Sequence, residues 1–258
     1  MTVSFAFSPC PNDIFLFRAF LDGFSNETND NLTIADISIL NQLALNHSHS
    51  IVKISAALFP RVSNNYGLMS VGNILGHGIG PLVLSWKGNS ILTSIATPGD
   101  TTTAHALCRL FYPEAHLVPM PYHKVISAVL NKLVDGCVVI HEERFSYDSR
   151  LCIHNDLGKL WERKTGLPVP LGCLVYSKSL SAHLVSNLEL DIKQSLDRSL
   201  KDIDISIKVA AKYARNKHSD TIQKFIDTYV NEETLCLSEL GKKSFNTLWN
   251  YIDASFSM

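Results

Sequence analysis

Short apolar runs alternate with stretches of helical period along the first two thirds of the chain. Val3 to Phe7 predicts a first strand and Asp13 to Leu21 a helix behind it, with Asn12 as its cap. Leu32 to Leu40 and Ile51 to Ile54 predict further strands. Pro81 to Trp86 and Ile91 to Ala96 follow as apolar runs split by Lys87-Gly88-Asn89-Ser90, a turn-like break. A helix over Thr102 to Tyr112, a strand at His116 to Val118, a helix over Tyr122 to Leu133 and a strand at Gly136 to Ile140 complete the alternation. This order predicts an α/β fold with largely parallel sheets. After Val175 the pattern turns charged and helical, from Leu180 to Tyr213 with a break near Asn187 to Asp191, and again from Asp220 to Phe256. A strand-rich middle and a helical end predict two lobes, the second inserted between parts of the first.

Composition narrows the class of protein. The 258 residues are 46% hydrophobic and 18% charged, with 23 basic against 24 acidic side chains and a formal net charge of -1. That length allows one large domain or two small ones. The charge balance removes the electrostatic case for a nucleic-acid or membrane-surface partner. No Lys, Arg, Asp or Glu lies between Arg61 and Lys87, but Gly72, Gly76, Gly78, Gly80 and Pro81 interrupt that stretch, so it reads as buried strands and a tight loop rather than a membrane span. Met1 to Phe7 carries no basic residue and Pro9 and Pro11 follow at once, unlike an export signal, which points to a cytoplasmic protein. The six cysteines lack C-x-x-C and zinc-type Cys/His spacing and mostly sit in apolar runs, so they read as buried thiols, with no metal site.

Three segments carry more polar specificity than packing requires. Ser8-Pro9-Cys10-Pro11-Asn12-Asp13 follows the first strand, where loops at the carboxyl ends of strands line ligand crevices. Asn12 and Asp13 also suit a helix start, and both readings stand. Ala96 to Ala104 is again a strand running into a helix, with Thr101, Thr102 and Thr103 in series after Pro98-Gly99. A helix start with extra hydroxyl donors suits a carboxylate or phosphate, and the G-K-[ST] ending of a phosphate loop is absent. Val138-Val139-Ile140-His141 is a buried run ending on a histidine. His141 is open to a structural role or to general-base work; Phe145 in place of a second His rules out H-E-x-x-H. Lys53-Ile54-Ser55 ends a strand and offers further donors, while Gly76 to Pro81 lacks the dinucleotide-binding spacing and reads as close backbone packing.

These segments together resemble the 1,4-dihydroxy-6-naphthoate synthases of the futalosine-dependent menaquinone pathway. The matching blocks are S-P-C-P-N-D from Ser8, Lys53 to Ser55, Gly76 to Pro81, Pro98-Gly99 leading to Thr102-Thr103-Ala104, I-H-E-E-R-F-S-Y from Ile140, Asp156 to Gly158 with Trp161-Glu162, and T-G-L-P-V-P-L-G from Thr165. Tyr229-Val230-Asn231 is a weaker match. The resemblance implies a two-lobed fold like the type II periplasmic binding proteins, each lobe a mixed, mostly parallel sheet flanked by helices. It places residues 1-90 and 181-258 in the larger lobe and 91-180 in the smaller, with a substrate cleft between them. It implies a lyase acting on cyclic dehypoxanthinylfutalosine, a small anionic substrate, to give 1,4-dihydroxy-6-naphthoate and dihydroxyacetone. No metal or redox cofactor is called for, and a monomer or homodimer is expected. On this resemblance His141 is the proton acceptor, and Lys53, Ile54, Ser55, Thr102, Thr103 and Ala104 contact substrate, with Asn12 beside them. The chain departs from the pattern at Arg18, Glu143 and Cys173, where His, Gly and Gly are usual. A solute-binding protein on the same fold, and the related chorismate dehydratase, are the alternatives.

Overall fold

The computed structural model describes residues 3–23 and 31–256. The chain divides into two compact units, Met1–Ile74 with Gly172–Ser238 and Leu75–Leu171 with Glu239–Met258. The expected boundaries near 90 and 180 thus lie earlier, and the last twenty residues fall in the other unit. Backbone pairing explains the first shift: the strand Leu82–Trp86, assigned by sequence to the first lobe, pairs antiparallel with Gly136–Val139 and Leu151–Asp156. The C-terminal helix is held in the second unit by Ser244 Oγ, which donates to the Pro168 carbonyl, and by Tyr251, whose ring meets Trp161 edge-on at 5.7 Å.

In the first unit the elements are β1 (Phe5–Phe7), α1 (Pro11–Leu16), α2 (Arg18–Leu21), β2 (Leu32–Ile34), α3 (Ile37–Leu45), β3 (Ile51–Ser55), α4 (Phe59–Val62) and β4 (Tyr66–Leu68). The chain leaves this unit through β5 (Ile74–Gly76). The second unit holds β6 (Leu82–Trp86), β7 (Ser94–Thr97), α5 (Thr103–Phe111), β8 (His116–Pro119), α6 (Val125–Leu130), β9 (Gly136–Val139), β10 (Leu151–Asp156) and α7 (Leu157–Thr165). The chain returns through β11 (Val169–Ser177). Helices α8 (Ala182–Lys201), α9 (Ile203–Tyr213), α10 (Ser219–Tyr229) and α11 (Glu232–Leu235) complete the first unit, and α12 (Glu239–Phe256) the second.

Both sheets are mixed. The first runs β2-β1-β3-β11-β4, with β5 on β11, and the second runs β10-β6-β9-β7-β8. Each contains a parallel core, β2-β1-β3 in one and β9-β7-β8 in the other, extended by antiparallel strands. The core of the first unit is aromatic: Phe7 stacks on Phe17 at 4.4 Å and Phe5 meets Phe20 at 5.3 Å. Leu188, Ile192 and Leu196 from α8 and Ile222 and Ile226 from α10 close over it. Burying each such side chain contributes about 1.5–3 kcal/mol. In the second unit Leu82, Leu84, Cys137 and Val139 pack with Val125 and Val129 of α6.

Three local expectations change. The run Leu32 to Leu40 is a strand only to Ile34; Leu40, Asn41 and Ala44 are the buried positions of helix α3, a helical and not an alternating spacing. Helix α8 is continuous through Asn187 to Asp191 and ends at Lys201, because Leu188, Ile192 and Leu196 keep one buried face in step. Asn12 does not cap α1; Cys10 holds the cap position with Pro11 at the first turn, and Asn12 lies inside the helix. The departure at Arg18 is accommodated internally. Its guanidinium is 3% exposed and donates to Ser206 Oγ at 2.7 Å and Asp202 Oδ2 at 3.2 Å.

Candidate functional site

Each unit carries its candidate residues at the carboxyl ends of two adjacent parallel strands. In the first unit these are β1 and β3, paired through Phe5↔Ile51 and Ala6↔Val52. Ser8 to Asp13 leaves one strand and Lys53 to Ser55 ends the other, so the register alone brings the two blocks together. Their link is a buried ion pair: Lys53 Nζ lies 3.1 Å from Asp13 Oδ1, with both side chains 2% exposed. Lys53 also donates to the Gly72 carbonyl at 2.7 Å. Asp13 accepts from Ser8 Oγ at 2.6 Å and from Asn12 Nδ2 at 2.9 Å. A charge taken out of water needs such partners, and here both ions have them.

Ser55 is 3% exposed, and its hydroxyl accepts from Asn41 Nδ2 at 3.1 Å while its backbone N–H donates to Asn41 Oδ1 at 2.9 Å. The Ile54 side chain is fully buried in the sheet. The ammonium of Lys53 and the amide of Asn12 are therefore engaged within the protein. Asp13, which holds Lys53, lay within the Ser8 to Asp13 segment, open to a binding loop or a helix start, whereas Asn41, which holds Ser55, went unmarked directly after a run read as strand.

In the second unit the corresponding strands are β7 and β9, paired through Ile95↔Gly136 and Ala96↔Cys137. The start of α5 follows β7 and His141 follows β9, so both stand at the same end of neighbouring strands. Thr102 is the N-cap of α5: its Oγ accepts from the His105 N–H at 3.2 Å and donates to the Gly99 carbonyl at 2.7 Å. Thr103 Oγ donates to the Leu171 carbonyl at 2.9 Å. The two hydroxyls expected as ligand donors thus donate within the protein, that of Thr102 to the turn itself and that of Thr103 to the distant Leu171 carbonyl. What a helix start offers an anion is the positive end of the helix, here at Thr103 and Ala104.

His105 was not singled out by sequence, although its position three residues after a cap threonine marks the first helical turn. It is 5% exposed, with Nδ1 2.8 Å from Thr97 Oγ and Nε2 3.3 Å from an Arg109 Nη. Arg109 can only donate, so Nε2 accepts and the proton sits on Nδ1, facing Thr97. Burial pushes the His105 pKa below the ordinary histidine value, and Arg109 pushes the same way against a smaller opposing pull from Asp100. His105 and Arg109 also border a cavity of about 390 Å³ in this unit, with Asp100, Tyr112, His116 and Pro119. Of the segments singled out by sequence, only Ala96 to Ala104 reaches it, through Asp100.

His141 opens a short 3₁₀ turn, His141–Arg144, with φ +58. A left-handed backbone is uncommon for a residue with a side chain and gathers at functional sites. Its ring meets Tyr122 edge-on at 5.2 Å. Nothing in the sequence near Tyr122 announces that contact. Arg144, at the other end of the turn, donates to the Gly80 carbonyl and to Asp156 Oδ2 at 2.8 Å. Asp156 Oδ1 in turn caps α7 through the N–H groups of Gly158 at 2.9 Å and Lys159 at 3.2 Å. A Cβ on Gly80 would lie 2.5 Å from the Gly158 nitrogen, so these glycines serve close backbone packing. The blocks at 76–81, 140–147 and 156–158 are therefore joined through Gly80, Arg144, Asp156 and Gly158. Among the described residues no group of three or more His, Cys, Asp and Glu side chains is arranged to hold a metal ion, and no helix is long and apolar enough to cross a membrane.

Comparison with known proteins agrees with this layout. A protein-family model described as "Menaquinone biosynthesis" matches residues 3–254. A 1,4-dihydroxy-6-naphthoate synthase of Streptomyces coelicolor is 35% identical over 251 residues, covering 93% of this chain and 89% of that protein. A crystal structure of a protein from Archaeoglobus fulgidus superposes with a TM-score of 0.93 at 29% identity, covering 99% of this chain and 98% of that one. A Candida albicans protein described as having the generic periplasmic-binding-protein fold superposes with a TM-score of 0.69 at 10% identity, covering 100% and 91% of the two chains. At that identity the likeness carries the fold alone, a periplasmic-binding-protein-like α/β architecture. With the family model spanning nearly the whole chain and the motif blocks assembled as its strand ends, this protein is a member of the menaquinone-biosynthesis family.

Proposed function

We propose that the protein is a 1,4-dihydroxy-6-naphthoate synthase that converts cyclic dehypoxanthinylfutalosine to 1,4-dihydroxy-6-naphthoate and dihydroxyacetone. The observation that carries the mechanistic part is His141, held in a left-handed backbone at the end of a buried strand beside the start of α5. In this reading His141 is the general base. It removes a proton next to the carbonyl of the cyclised ribose portion, and C–C cleavage follows, drawn forward by aromatisation. A positioned imidazole contributes about 10²–10⁴-fold. The backbone N–H groups at the start of α5, with Thr102, Thr103 and Ala104 around them, orient the substrate carboxylate, which lowers the entropic part of the barrier.

Lys53, Ile54, Ser55 and Asn12 belong to the same reading as substrate-binding residues. Lys53 and Asn12 act through the buried pair that fixes their strand ends, and Ser55 offers its hydroxyl from the Asn41 clamp. The reaction is a proton transfer and a bond cleavage without net oxidation, so the reading calls for no cofactor. The direct test is to incubate the protein with cyclic dehypoxanthinylfutalosine and follow dihydroxynaphthoate by mass spectrometry. His141→Ala is expected to lower kcat at least about a hundredfold with substrate still bound. Native-like turnover by that variant would move the base elsewhere, and no product from the native protein would end the assignment. Treatment with EDTA is expected to leave turnover unchanged.

A further inference from the structure

We propose that the ion pair between Arg144 and Asp156 is the positioning device for His141, acting through the turn that carries it. The proposal rests on the reading of His141 as the base. Arg144 lies three residues after His141 in the same 3₁₀ turn, which is closed by the Phe145 N–H donating to the Glu142 carbonyl at 2.9 Å. One arm of its guanidinium holds the Gly80 carbonyl and the other holds Asp156 Oδ2 at 2.8 Å. The two side chains are 13% and 6% exposed, so the pair is largely removed from water and its geometry is fixed.

Both anchors are themselves rigid. Asp156 is tied down by the first turn of α7 through its second oxygen. Gly80 is pressed against Gly158, and the Leu157 N–H donates to the Pro81 carbonyl at 2.9 Å. A turn bolted at its far end to two immobile segments has little freedom at its near end. That is the condition under which a residue stays at φ +58, a conformation that persists only where its surroundings over-determine it. The Tyr122 ring then fixes the remaining side-chain rotation of His141. Arg144 touches no reacting atom in this account; it sets where the imidazole stands. The planar guanidinium aims one Nη at each acceptor in a single fixed geometry, which the more mobile ammonium of a lysine reproduces only in part.

The experiment compares Arg144→Met, Arg144→Lys, Asp156→Asn and the double variant Arg144→Met/Asp156→Asn, with His141→Ala alongside. Asparagine keeps a side-chain oxygen for the α7 cap, so Asp156→Asn breaks the ion pair without uncapping the helix. Steady-state kinetics on cyclic dehypoxanthinylfutalosine and the side-chain NMR resonances of His141 are the two readouts. Arg144→Met is expected to lower kcat about thirtyfold or more with KM changed less than about threefold, since a displacement of the base near 1 Å costs on that order. Arg144→Lys is expected to recover only part of the loss, and the double variant to be no worse than Arg144→Met alone. The His141 resonances are expected to shift in Arg144→Met and Asp156→Asn. Native kcat in Arg144→Met while His141→Ala is inactive overturns the proposal, as do unshifted His141 resonances in folded variants. If His141→Ala itself keeps native turnover, the general-base reading fails, and shifted resonances still support the positioning role.

Discussion

Replacing Lys53 with methionine removes an ammonium from a site where it is 2% exposed while keeping most of the volume of its stem. The carboxylate of Asp13 is left behind, equally buried, and the Gly72 carbonyl loses a 2.7 Å donor. Breaking one partner of a buried pair costs about 3–5 kcal/mol. Asp13 keeps the Ser8 hydroxyl at 2.6 Å and the Asn12 amide at 2.9 Å, which places the loss near the lower end, about 3 kcal/mol. For a chain of this size that corresponds to a fall in Tm of roughly 6–12 °C. Circular dichroism during heating and urea titration measures it, with an unchanged urea slope separating lost stability from a changed unfolded state. The double variant Lys53→Met/Asp13→Asn leaves no unpaired charge and is expected to recover about half of the loss. A Lys53→Met protein within about 1 kcal/mol of native stability, with only its KM raised, would refute the reasoning and return Lys53 to a direct substrate contact.

Other consequences follow from the same contacts. Gly80→Ala puts a Cβ 2.5 Å from the Gly158 nitrogen and is expected to cost about 1–3 kcal/mol in urea unfolding and to lower kcat through the His141 turn. Thr102→Ala removes the cap of α5 and is expected to cost about 1 kcal/mol and raise KM, read by thermal unfolding and steady-state kinetics. His105 has a folded-state pKa below its unfolded value near 6.5, so the unfolded chain takes up the proton first. Its contribution to stability is complete above that pH and falls away as the pH drops through the interval below it; urea midpoints at pH 7.5 and 5.5 are expected to differ more in the native protein than in His105→Gln. Burial pushes the thiols of Cys108, Cys137 and Cys173 up to about 12, whereas Cys236 is exposed, so iodoacetamide at pH 8 is expected to label Cys236 ahead of those three.

The positions of the candidate residues were legible because they are strand ends. Val3 to Phe7, Ile51 to Ile54 and Gly136 to Ile140 are short apolar runs with polar residues placed directly after them, and such runs announce both a buried strand and the loop that leaves it. Errors arose where one apolar run served two elements. Leu32 to Leu40 continues from a strand into α3 with no proline or glycine to mark the change, and only the burial of Leu40, Asn41 and Ala44 tells them apart.

The sequence by itself determined the α/β class, the strand ends that carry the candidate residues, and the family, since local periodicity and ordered motif blocks are properties of neighbouring residues. Only the tertiary structure decided what each polar group does. Lys53 meets Asp13 across 40 positions, Thr103 meets Leu171 across 68 and Arg144 meets Gly80 across 64, and no local pattern encodes such a partner. Register places them: β1 beside β3 and β7 beside β9 set which strand ends become neighbours, and burial then requires every charge brought there to find its counterpart.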